Sequence, residues 1–169
     1  AALQESIEQQ ITSLVEILYR LGTALHHIKA HGALYNDLAA GGTLALRYLE
    51  VLERFGNDVL VYAPCGSPFA RLAMDRGFKV WEEAFADRAY EADGSLVSRK
   101  KPGALLTSPR QVSEQVMEMV LSGRVRCVDG SYFALNPRTF CLHGDTPNAV
   151  AILRNLIKSL KGESIQIQK

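Results

Sequence analysis

Several things are scarce in this sequence, and each scarcity closes off a class of protein. No apolar run reaches membrane-spanning length before a charge interrupts it, and no basic-then-apolar leader opens the chain, so a membrane protein is a poor first reading. Net charge is almost absent: 19 Lys and Arg stand against 18 Asp and Glu, giving +1. With no basic block to neutralise a run of phosphates or an anionic surface, nucleic acid is an equally poor guess. Cysteine is limited to Cys65, Cys127 and Cys141, an odd number at wide spacing. That suits reduced cytoplasmic thiols better than a disulfide framework or a zinc knuckle. Internal repeats and low-complexity tracts are missing too, and the first residue is not methionine, as expected of a processed or truncated product.

What is present is the composition of an ordinary globular domain, with 169 residues, 47% hydrophobic and 22% charged. Apolar residues at Leu3, Ile7, Ile11, Leu14, Val15 and Leu18 predict an amphipathic helix ending near Gly22. Short apolar runs predict strands over 25–29, 58–62, 78–84, 124–128 and 140–143. Between them lie helical patterns opened by Gly41-Gly42-Thr43, Ser67-Pro68, Ser108-Pro109 with a capping-box Gln111, and Thr146-Pro147. Five strands alternating with five helices predict an α/β fold with a parallel sheet, one domain over 1–162 and a polar tail over 163–169. Residues 87–103 read as a long loop with a tight turn at Asp93-Gly94.

The unusual polar groups collect where strands end, the edge at which parallel α/β proteins bind ligands. Lys29 and His31 follow the first strand, Cys65-Gly66-Ser67 the second, Asp87, Arg88 and Tyr90 the third, Asp129 the fourth, and His143-Gly144-Asp145 the fifth. Side chains alternate along a strand, so His27, Lys29 and His31 share a face, as do Glu83, Phe85 and Asp87, and Thr139, Cys141, His143 and Asp145. The expectation is one cavity in which acids and imidazoles tune each other for acid/base chemistry, with Lys29 or Arg88 stabilising an anionic substrate or an oxyanion. Plainer readings stand beside this one. His143-Gly144-Asp145 also suits a helix start, Asp87 and Arg88 a surface ion pair, and Cys65 a small buried thiol. Trp81 and Phe85 read as packing residues, and His26 as pointing away from His27. A metal site from His31, His143 and Asp145 has suitable ligand types but no diagnostic spacing, and none is expected.

Three blocks in this order resemble the LamB/YcsF family: His27-Ile28-Lys29-Ala30-His31-Gly32-Ala33-Leu34-Tyr35-Asn36; Glu83-Ala84-Phe85-Ala86-Asp87-Arg88-Ala89-Tyr90 with Asp93-Gly94 and Pro102-Gly103-Ala104; and Leu142-His143-Gly144-Asp145-Thr146-Pro147. The resemblance implies a seven-stranded β/α barrel of the kind found in polysaccharide deacetylases, of which this chain is the C-terminal two-thirds with a sheet edge left open. It implies a cytoplasmic subunit that opens 5-oxoproline to glutamate with ATP, accompanied by magnesium, and with partner subunits B and C; a homo-oligomer stays open. Matching the motifs, Lys29, His31, Asp87, His143 and Asp145 are the catalytic candidates. His27, Tyr35, Asn36, Glu83, Arg88 and Tyr90 are the substrate-binding ones. The family's usual proline between lysine and histidine is Ala30 here. No Walker-type glycine loop is present, which points to ATP handling shared with the partners. A metal-dependent deacetylase-like hydrolase and a non-catalytic scaffold are the competing readings.

Overall fold

The computed structural model describes residues 2–167, and the chain forms two compact units, Ala1–Glu82 and Glu83–Lys169. In the first, helix α1 (Ala2–Arg20) buries Ile7 and Ile11, while Leu3 and Leu14 of the expected inward stripe are exposed. Its end is closed by Thr23 N–H donating to Leu18 O across Gly22, whose φ of +66° a side chain would disfavour. Strand β1 is shorter than expected, only His27–Ile28, and pairs in parallel with β2 (Leu60–Pro64), Ile28 opposite Val61. Strand β2 starts two residues late because Asn57 and Asp58 are taken by the turn, and it is fully covered on one face only, that of Val61 and Ala63.

A helix that the sequence reading took for loop, α2 (Gly32–Ala39), follows β1 directly. Eight residues with Tyr35 and Leu38 as their only buried members are too few to display a period. Helix α3 (Gly42–Leu52) buries Ala45, Tyr48, Leu49, Val51 and Leu52 before a 3-10 turn over Glu53–Phe55. It is entered through Gly41 without a side-chain cap, in place of the expected Thr43. Helix α4 (Pro68–Asp75) starts as expected, the Ser67 hydroxyl accepting from Ala70 N–H at 3.1 Å.

Strand β3 (Lys79–Phe85) begins in the first unit and ends in the second, becoming buried as it goes. In the second unit it pairs in parallel with β6 (Thr139–Cys141), Glu83 opposite Thr139 and Phe85 opposite Cys141. Helices α5 (Pro109–Ser122) and α6 (Ala149–Gly162) cover it with a core of Ala86, Val112, Val116, Ile152, Leu156 and Leu160, to which Ile165 of the C-terminal tail adds. Each fully buried aliphatic side chain there contributes about 1.5–3 kcal/mol relative to exposure.

Three expectations fail in this unit. The segment after Gly123 is not a strand of the four-stranded sheet: β4 (Arg124–Arg126) pairs antiparallel with β5 (Tyr132–Ala134) as a hairpin, and the expected parallel pairing is reduced to a bridge between Cys127 and Tyr90. Asp129 therefore sits at a hairpin tip, where Ser131 N–H and Oγ–H donate to it and hold its carboxyl below the usual range. The last helix opens at Ala149 behind Asn148, not at Thr146, and Asp145 does not cap it. Ser108 makes no capping bond either. Asp93-Gly94 does form the expected tight turn. A Cβ on Gly94, at φ +81°, would lie 2.4 Å from the Phe133 ring, so only glycine fits there. Among the described residues no helix is long and apolar enough to cross a membrane.

Candidate active site

The segment Glu83 to Tyr90 is buried from end to end although its sequence contains two acids and an arginine. After Phe85 the backbone leaves the strand, so its polar groups take partners from isolated bridges and from side chains rather than from a continuous ladder. They are found one at a time. Phe85 N–H donates to the Tyr90 hydroxyl at 2.8 Å, Ala86 N–H to Cys141 O, and Ala89 N–H to Ala104 O. Asp87 O accepts from Leu106 N–H and Ala89 O from Val97 N–H. The carbonyls of Phe85, Ala86 and Arg88 accept from one amide, Gln115 Nε2 on α5, at 3.2, 3.0 and 2.9 Å.

This frame presents Asp87, 0% exposed, to the loop after β6. Its carboxylate accepts from His143 Nδ1 at 2.9 Å, from His143 N–H at 3.1 Å, and from the buried Thr146 hydroxyl. A carboxylate only accepts, so Nδ1 carries a proton, and in the neutral imidazole Nε2 then keeps the lone pair. The His143 side chain is 22% exposed and lies flat against the Phe85 ring, centroids 5.5 Å apart. A buried acid orienting a partly exposed histidine through Nδ1 is an arrangement suited to a general acid/base.

The other candidates of this unit lie close in sequence but face different tasks. Arg88 donates to Val97 O at 2.6 Å and to Ala104 O, clamping the long loop. Burial, with Arg99 adding to it, holds its guanidinium below the ordinary range, while Asp87 and Tyr90 act in the opposite sense. Tyr90 is buried with its hydroxyl on the Phe85 amide, and Glu83 is buried in β3. Asp145 is not brought to the pair: it is 74% exposed and faces Arg99 at 3.6 Å.

In the first unit, His27, Lys29 and His31 alternate with buried Ile28 and Ala30, as period two requires. Lys29 Nζ lies 5.3 Å over the ring of buried Tyr35, and Asn36 is exposed on α2. His27 stacks on Tyr62 at 4.1 Å, and Tyr62 on Trp81 at 5.7 Å. His26 contradicts its expected direction, sitting exposed with Nδ1 3.1 Å from that of His27 and its ring edge-on to Trp81. Cys65 is half-buried, and the following Gly66 N–H donates to Glu82 Oε1 at 2.7 Å.

Thr146 and Gln115 were missed. Thr146 was read as a helix start, and nothing local marks Gln115, whose partners lie 27–30 positions away. Among the described residues no group of three or more His, Cys, Asp or Glu is arranged to hold a metal ion.

A family model, the LamB/YcsF family, matches residues 1–169. A Thermococcus sibiricus protein named as the A subunit of 5-oxoprolinase is 40% identical over 94% of this chain and 62% of its own length. Its namesakes in Acinetobacter baylyi and Mycobacterium avium are 37% and 38% identical, each over 98% of this chain and 65% and 66% of their own. The crystal structure of a lactam utilization protein from Thermus thermophilus superposes with a TM-score of 0.89 at 30% identity, covering 98% of this chain and 66% of that one. The chain thus spans about 62–66% of the length of these relatives. With a match along its entire length and three sequence blocks at its strand ends, this α/β chain belongs to the LamB/YcsF family.

Proposed function

We propose that the chain is part of the A subunit of an ATP-dependent 5-oxoprolinase, a cytoplasmic enzyme that opens the lactam of 5-oxoproline to glutamate together with partner subunits B and C. The observation that carries the reading is the Asp87–His143 pair, since lactam opening needs one group to take a proton and return it elsewhere. Water attacks the carbonyl carbon and gives its proton to His143 Nε2. The C–N bond then breaks, and the same proton goes to the departing ring nitrogen. Asp87 holds the imidazole by Nδ1 and stabilises its charged form.

ATP enters as a co-substrate. Transfer of the terminal phosphoryl group of ATP to the lactam oxygen releases ADP and makes the resonance-stabilised amide a better electrophile. Once the C–N bond breaks, the group is left on the new carboxyl as an acyl phosphate, which water hydrolyses to glutamate and phosphate. We assign these phosphoryl steps to joint action with the partner subunits. Lys29, His31 and Asp145 are carried as further catalytic candidates, and His27, Tyr35, Asn36, Glu83, Arg88 and Tyr90 as substrate-binding ones. All lie in the family motifs. The proposed architecture is the seven-stranded deacetylase-like barrel.

The test is glutamate release from 5-oxoproline and ATP by the complex carrying His143→Gln. Loss of a general acid/base costs on the order of a hundred-fold or more in rate, and because glutamine keeps an N–H donor for the Asp87 carboxylate the variant is expected to stay folded. Near-normal turnover in the folded variant removes His143 from the mechanism.

A further inference from the structure

We infer that Gln115 is a positioning residue: by gripping three main-chain carbonyls around Asp87, it sets where that carboxylate stands against His143. The inference rests on the acid/base reading of the pair, and deepens it. Asp87 lies in a turn between β3 and the antiparallel bridge of Arg88 with Leu105, so strand geometry alone does not fix its direction. Bonds of the surrounding main chain do, and three of them converge on one side chain. Phe85 O, Ala86 O and Arg88 O all point at Gln115 Nε2, within 3.2 Å. An amide nitrogen has two protons, so the three acceptors share them, and none of the three turns away without losing a hydrogen bond in a half-buried place.

The grip comes from a rigid place. Gln115 projects from the middle of α5, whose Val112, Val116 and Met119 are buried to 1% exposure or less. The same helix is tied to α6 by Ser113 Oγ donating to Asn155 Oδ1 at 2.9 Å. Between helix and imidazole the chain of contacts is short: Gln115, the 85–88 backbone, the Asp87 carboxylate, His143 Nδ1. A reacting group misplaced by about 1 Å costs on the order of a hundred-fold in rate. The carbonyls held by Gln115 therefore control proton transfer without Gln115 touching a substrate.

Gln115→Met keeps the size and removes both donors, while Gln115→Glu keeps the shape and sets a carboxylate against three carbonyls. Ser113→Ala is the comparison, since it cuts a half-buried bond of the same helix away from the loop. Two readouts are needed. The first is the nitrogen-15 NMR signature of the His143 ring in the full chain, which shows the Nδ1–H tautomer in the native protein and does not depend on turnover. The second is kcat and KM of the reconstituted complex.

Both Gln115 variants are expected to mix the tautomers and lower kcat ten- to a hundred-fold, with KM within about two-fold. Ser113→Ala lowers the melting temperature only. A folded Gln115→Met or Gln115→Glu protein with the native tautomer signature overturns the inference, as does a tautomer change of equal size in Ser113→Ala. If neither Gln115 variant folds while Ser113→Ala does, Gln115 is a structural residue and the inference is again overturned. Failure of the acid/base reading registers separately, as His143→Gln retaining turnover, and leaves the NMR result to decide the role of Gln115.

Discussion

At the scale of the residue, burial decides what a polar side chain does. Asp87 and Asp145 looked alike in sequence, two acids beside strand-end motifs. One is wholly enclosed with three donors, whereas the other stands in solvent near Arg99. An exposed pair of that kind is worth ~0–1 kcal/mol. Tyr48 shows the same rule for ionisation. Its phenol is buried against Phe69, and burial raises its proton affinity above the ordinary 10.0. Raised affinity in the fold means that stability is intact below the unfolded value and falls as pH rises beyond it. Tyr48→Phe is therefore expected to lessen the alkaline loss, by about 1 kcal/mol at pH 11, when both proteins are unfolded in urea at pH 8 and pH 11. Equal losses in the two proteins count against this account of Tyr48.

At the scale of the element, start signals read from sequence are permissions rather than outcomes. Ser67-Pro68 and Ser108-Pro109 are the same dipeptide and both begin helices, yet only Ser67 accepts from the first turn. Ser67→Ala is expected to cost about 1 kcal/mol and Ser108→Ala a few tenths at most, measured side by side by denaturant melts. Equal costs would show that the two caps are alike in solution. Long helices and stretches with several periodic apolar residues were legible, as were the turns at Gly56, Gly77 and Asp93-Gly94. Helix α2 was hidden by its brevity. The β4–β5 hairpin was mistaken for a parallel strand because a run such as Arg124–Val128 does not encode the direction of its neighbour.

For the whole chain, the share of its relatives' length that it spans bears on activity. Those relatives are named for one part of an assembly, and the proposed chemistry divides activation by ATP from proton transfer at His143. Glutamate formation from 5-oxoproline and ATP is thus expected only when the partner subunits are added, with the chain alone at background in the same assay. Turnover by the chain alone would place the ATP chemistry here too.

The sequence by itself determined the α/β class, because alternating short β-branched runs and amphipathic helices bury their apolar sides in few ways. It also determined that Asp87 and His143 follow the ends of two strands, because the apolar run before each gives way to polar residues there. Only the tertiary structure decided that those strands, β3 and β6, are neighbours in register, which brings residues 56 positions apart to 2.9 Å. It alone recruited Thr146 and Gln115, since a buried backbone that leaves its strand takes hydrogen bonds from whatever donors packing brings within reach, and no local pattern of residues records which these are.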